Sequence, residues 1–73
     1  MKNISGKKVC KILEKNGWNL IRISGSHHIY TKEGEDAKIV VPVHNNKPLK
    51  IGLLKAILKT AGLLSLFFTI FSS

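Results

Sequence analysis

The segment Gly25-Ser26-His27-His28 holds the residue types in this sequence most able to do chemistry. A neutral imidazole takes up a proton near pH 7, while a glycine beside it tolerates a sharp turn and lets an extended phosphate backbone come close. Presented to RNA, such an imidazole can withdraw the proton of a 2′-hydroxyl and make that oxygen a nucleophile on the neighbouring phosphorus. That route needs no metal and no cofactor. Ser26 adds a hydroxyl donor, and Arg22 with nearby lysines can stabilise charge on the phosphorane as it develops. Adjacent histidines on a strand point to opposite faces, so normally one faces a substrate while the other supports the fold. A His-His pair in a hairpin is also a common polar, β-tolerant surface feature, and spacing alone names no second acid or base. His44 is a candidate for that second group, beside its reading as a solvated loop residue.

Charge narrows the partner. Twelve Lys and Arg against four acidic residues give a formal charge of +8, and Glu14, Glu33, Glu35 and Asp36 all precede Ala37. The second half of the chain is therefore purely cationic. Clustered positive charge concentrates polyanions and gives salt-sensitive affinity for phosphate backbones, which makes nucleic acid the leading partner class ahead of an anionic membrane or an acidic protein. A hydrophobic content of 44% is too high for a disordered basic tail. Cys10 is the single cysteine, which excludes an internal disulfide, and no Cys/His spacing resembles a zinc site. Cys10 reads as inert packing. No apolar run follows the basic N-terminus, so the expected location is cytoplasmic.

These groups must be positioned by few elements, because 73 residues are expected to form one domain spanning 1–73. Ser5 can cap a first helix with Val9, Ile12 and Leu13 on one face, stopped at Asn16-Gly17. Trp18 to Ile23 suits a strand, broken by Gly25-Ser26, with a short partner at His28-Ile29-Tyr30-Thr31. A third strand is expected over Ala37 to Val43, where Pro42 fits an edge strand or a strand end. From about Leu49 a second helix has Ile51, Leu54, Ile57, Leu58 and Ala61 at helical spacing, with Gly62 as C-cap. Short hairpins leave no crossover for parallel pairing, so the expected fold is α+β: α-β-β-β-α, a three-stranded antiparallel sheet with two helices on one face. Trp18 reads as core, whereas Tyr30 suits either the core or stacking on a base.

The tail, residues 64–73, is atypically apolar. Leu63 to Phe71 is shorter than the roughly 20 residues a membrane helix needs, and extending it backwards meets Lys59 and Lys55. A spanning helix is rejected. The remaining readings are a segment that covers an open face, a subunit contact making an oligomer, or a membrane surface anchor.

Four blocks together resemble a known family. Gly6-Lys7-Lys8-Val9 with Leu13 to Trp18, then Arg22 to Tyr30, then Val40-Val41-Pro42-Val43-His44, then Leu49 to Leu63 are similar in order and spacing to the HicA toxins, also called the YcfA-like family. The Gly-Ser-His-His block followed by Val-Pro-Val-His is the most diagnostic pair. The resemblance implies a fold like the double-stranded RNA-binding domain and the activity of an mRNA interferase, an endoribonuclease toxin of a type II toxin–antitoxin system that blocks translation. It also implies a HicB-type antitoxin partner. The catalytic histidine of the family maps to His27 or His28, with His27 placed first because it directly follows the turn. Gly25 and Ser26 carry over as the turn that presents it, and Arg22, Lys7, Lys50, Lys55 and Tyr30 are the expected RNA contacts. Many relatives continue with a polar helix where this chain has Leu64-Ser65-Leu66-Phe67-Phe68. The competing function is a double-stranded RNA-binding module without chemistry.

Overall fold

The computed structural model describes residues 3–71. Ser5 has extended backbone and its hydroxyl accepts the Lys8 N–H at 3.2 Å, so α1 (Gly6–Lys15) begins at the expected cap. Its end follows from glycine chemistry. Gly17 takes φ 89°, the Gly17 N–H reaches the Glu14 carbonyl, and the Trp18 N–H reaches the Leu13 carbonyl at 3.0 Å. This is the Schellman arrangement, in which the residue after the left-handed glycine packs back on the helix. The buried side chains of Trp18 and Leu13 fit it. The same device recurs at Gly62, where the Gly62 and Leu63 N–H groups reach the Lys59 and Leu58 carbonyls at the end of α2 (Ile51–Thr60).

Between the helices, β1 (Asn19–Ser24), β2 (His27–Thr31) and β3 (Ile39–Pro42) form an antiparallel sheet in the order β1-β2-β3. Pro42 ends an edge strand, where its missing N–H breaks no ladder. Gly25 and Ser26 are the two loop residues of the β1–β2 hairpin. Positive φ occurs at Gly25 (60°) and not at Ser26, the pattern of a type II′ turn.

Val9 and Leu13 of α1, Leu54, Ile57 and Leu58 of α2, and Tyr30, Ile39 and Val41 of the sheet share one buried cluster. Both helices therefore cover the same sheet face, as expected. Each such side chain contributes about 1.5–3 kcal/mol by leaving water. Ile51, expected in the same stripe, stays exposed because it opens α2 before the helix reaches the sheet.

The tail departs from the reading of a segment that covers an open face. Residues after Gly62 form a further helix, α3 (Leu64–Phe71), which packs against α2 on the helix layer and leaves the other sheet face open. Phe67 is buried in the shared cluster, Leu64, Ile70 and Phe71 pack against it, and Phe68 remains exposed. No helix among the described residues is long and apolar enough to cross a membrane.

Two contacts seat the start of α1. The Leu49 N–H donates to the Ile4 carbonyl at 2.8 Å, and Ser5 bridges to Pro48. Gly6 lies so close to the end of β3 that a Cβ there would overlap the Pro42 carbonyl oxygen. Because that obstacle is backbone, a larger residue must push helix and strand apart. Gly6→Ala should therefore lower stability by about 1–3 kcal/mol, read as a lower denaturation midpoint in urea. An unchanged midpoint would show that the approach imposes no constraint.

Candidate active site

Residues paired directly across an antiparallel ladder share a face. His28 stands opposite Val41 and Ile23, and Tyr30 opposite Ile39 and Leu20, which places both on the helix side. His27 stands opposite Pro42 and Ser24, and Ile29 opposite Val40 and Arg22, on the open side. The strand's period of two thus separates the adjacent histidines. Arg22 reaches the open side only because the register shifts between Leu20 and Arg22, leaving Ile21 as the extra residue of a β-bulge. Arg22, Ile21, Ile29, Lys38 and Val40 line a shallow concavity of about 260 Å³ there.

On the helix side, half-buried His28 has its Nδ1 3.9 Å from the Sγ of buried Cys10. His28 also lines a concavity of about 470 Å³ with Lys7, Val43, Asn45 and Asn46. A second hollow of about 360 Å³ continues it, sharing Lys7 and Asn46 and adding Ser5, Lys8 and Lys11. Three lysines from the first turns of α1 thereby lead to one imidazole. Asn45 takes φ 55°, a left-handed conformation that Asn tolerates better than most residues.

The hairpin turn makes its own contacts. The Ser26 carbonyl accepts the Val43 N–H at 2.7 Å, and the Ser26 hydroxyl lies 3.3 Å from His44 Nε2. His44, Lys47 and Lys50 flank an apolar groove with Pro42, Pro48, Leu49 and Leu53.

The expected site residues therefore fall into separate places. Lys7 joins His28; Gly25, Ser26 and Lys50 gather at the His44 end; Arg22 shares the open face with His27. One expected RNA contact needs correction. Tyr30 is fully buried and its hydroxyl donates to Glu14 Oε2 at 2.6 Å, so its ring braces α1 and has no face free for a base. Lys55 stays exposed, with its ammonium 5.9 and 5.8 Å from the ring centroids of Phe67 and Phe68 in the tail. Asn45, Asn46 and the contact of Cys10 with His28 were not singled out from the sequence. Counting two residues back from a buried Tyr30 would have put His28 against α1. Among the described residues no three His, Cys, Asp or Glu side chains gather as a metal site.

A family model described as HicA toxin of bacterial toxin-antitoxin matches residues 6–63. The chain belongs to the HicA toxin family. A comparison with curated proteins finds no match. The HicA match takes in α1, the whole sheet and α2, and ends just before α3. Every histidine and lysine of the hollows described above lies within it.

Burial pushes the Tyr30 phenol far above its ordinary value, and its neighbours Cys10 and Glu14, the latter accepting its hydrogen bond, add to the rise. The folded protein then holds a proton that the unfolded chain gives up above about pH 10. The stability this group contributes is complete below about pH 10 and declines above it, by up to about 1.4 kcal/mol per pH unit. Tyr30→Phe should flatten that alkaline decline and cost about 1.5–3 kcal/mol at neutral pH by removing a hydrogen bond to a carboxylate. Urea titrations of both forms between about pH 8 and 11 check both effects. Parallel alkaline curves would mean that the phenol is not the group responsible.

Proposed function

We propose that this HicA-family chain is an endoribonuclease that cleaves mRNA without a metal, with His28 as general base. The observation that carries the reading is the placement of His28 in a hollow shared with Lys7 and continuous with Lys8 and Lys11. A phosphodiester drawn to those lysines brings its 2′-hydroxyl beside an imidazole. With Nδ1 turned to Cys10, Nε2 is the nitrogen left for substrate. It takes the 2′-hydroxyl proton, the oxygen bonds to phosphorus, and the bond to the 5′-oxygen breaks. The products are a 2′,3′-cyclic phosphate and a 5′-hydroxyl that gains a proton from solvent. Lys7 is the cation nearest the charge that builds on phosphorus.

This ordering reverses the precedence that the turn gave to His27. His27 is exposed on the open face, where Ile29 and Val40 make the surroundings more apolar and Arg22 and Lys38 are the nearby cations. The expected site is the cytoplasm, where mRNA is found. The expected inhibitor is a HicB-type antitoxin whose acidic surface covers the His28 hollow, matching the charge of +8.

The test is incubation of the purified chain and its single-histidine variants with labelled RNA in excess EDTA. Wild type and His27→Ala should cleave, whereas His28→Ala should lose at least about 100-fold in rate while still binding RNA. Full cleavage by His28→Ala would overturn the assignment. Equal binding without cleavage by any form would select the RNA-holding module instead. A stoichiometric acidic antitoxin should abolish cleavage, and a complex that cleaves as fast as the free chain would rule out occlusion.

A further inference from the structure

Behind His28 runs a chain of polar side chains that the cleavage scheme does not use. Glu14 Oε2 accepts the Tyr30 hydroxyl at 2.6 Å, Tyr30 and Cys10 are buried in the same cluster, and Cys10 Sγ lies 3.9 Å from His28 Nδ1. Lys7, Cys10 and Glu14 occupy positions i, i+3 and i+7 of α1, one face of the helix. That face meets His28 and Tyr30, which sit two residues apart on one face of β2.

Donor and acceptor capacities order this chain. An ionised carboxylate only accepts, so the phenol must spend its proton on Glu14. The phenol oxygen is then left as an acceptor, and the Cys10 S–H can satisfy it. With its hydrogen so placed, the sulfur offers only lone pairs to His28, an arrangement that calls for the hydrogen on Nδ1. Nε2 is left without one and faces the hollow as a base. An imidazole free in water favours the opposite arrangement, with hydrogen on Nε2.

We propose that Cys10 is a positioning residue that holds His28 in the Nδ1–H tautomer. The importance of this for cleavage rests on the reading of His28 as the base; the tautomer itself does not. Titratable neighbours of His28 are Lys7 and Cys10 from α1, while β1 and β3 face it with Ile23 and Val41. Among the described residues, Cys10 is the ionisable side chain that contacts its Nδ1.

The experiment is a ¹⁵N spectrum of the histidine rings in the full chain at about pH 8, above the ordinary imidazole value of about 6.5. Wild-type His28 should report hydrogen on Nδ1. In Cys10→Ala it should shift toward Nε2–H, with the signals of His27 and His44 unmoved. Single-turnover cleavage should fall roughly tenfold at unchanged RNA affinity, in the range seen when an orienting partner of a functional histidine is lost. Cys10→Ser, whose hydroxyl both accepts and donates, should recover tautomer and rate together. Nε2–H in the wild type, or an unmoved tautomer in Cys10→Ala, would overturn the proposal. Should Cys10→Ala fail to fold, the wild-type and Cys10→Ser spectra still decide it. Cleavage that survives in His28→Ala beside the expected tautomer shift would sink the base assignment and support the Cys10 inference.

Discussion

The fold is organised around one buried phenol on the central strand. Tyr30 is wholly enclosed, and a hydroxyl so placed costs free energy unless it is hydrogen-bonded; Glu14 supplies the acceptor from α1. Because the strand alternates, burying Tyr30 sends His28 to the helix side and His27 to the open side. The contact also fixes the rotation of α1 about its axis, since Glu14 must face the sheet. Lys7 and Cys10 share that face and are carried with it. The other end of α1 is fixed independently where Gly6 meets Pro42. Clamped at both ends, α1 has little freedom to slide or turn relative to His28. The positions of lysine, thiol and imidazole are thus consequences of two packing constraints.

Features settled within a few residues of chain could be read from the sequence. Ser5 as a cap, Gly17 and Gly62 as helix stops, the Gly25-Ser26 turn and the strand-end Pro42 all act through local backbone chemistry. Their order was enough to specify an antiparallel sheet covered by helices. Features that depend on a partner distant in sequence were not readable. Strict alternation would put Leu20 and Arg22 on one face; the bulge at Ile21 separates them, and no Gly or Asn marks it. Tyr30 has the composition of either a stacking platform or a core residue, and only the approach of Glu14 decides. The candidate site was legible as the Gly-Ser-His-His segment, but which histidine meets the lysines depends on which sheet face the helices cover. Cys10, read as inert packing, is buried as expected, yet its neighbour His28 lies eighteen positions away.

The cationic surface is also less uniform than its composition suggests. Lys7 lines the His28 hollow and, with Lys8 and Lys11, the one beside it; Lys47 and Lys50 flank the groove beside His44, and Lys38 accompanies Arg22 on the open face. Exposed lysines each contribute little alone and are screened within about 8–10 Å at physiological salt. Grouping at that scale decides which of them act together on one phosphate. Lys55 lines none of these hollows and lies instead over the rings of Phe67 and Phe68.

Those rings belong to α3, whose composition invites a membrane reading that its geometry opposes. Eight helical residues span about 12 Å at the usual rise of about 1.5 Å, well short of a hydrocarbon core of about 30 Å. A surface anchor would need its apolar rings turned outward together. Here Phe67 points into the shared core, Phe71 stacks on it at 4.9 Å, and Phe68 alone of the three is exposed. Undocking α3 to reach a bilayer would expose the surface of α2 that Phe67 covers and release Lys55 from its two rings. Phe67 is therefore committed to the chain's own interior, with Leu64, Ile70 and Phe71 packed beside it, and α3 bears on the stability of α2. Since α2 supplies Leu54, Ile57 and Leu58 to the cluster that also buries Tyr30, that effect extends to the phenol on which the placement of His28 depends.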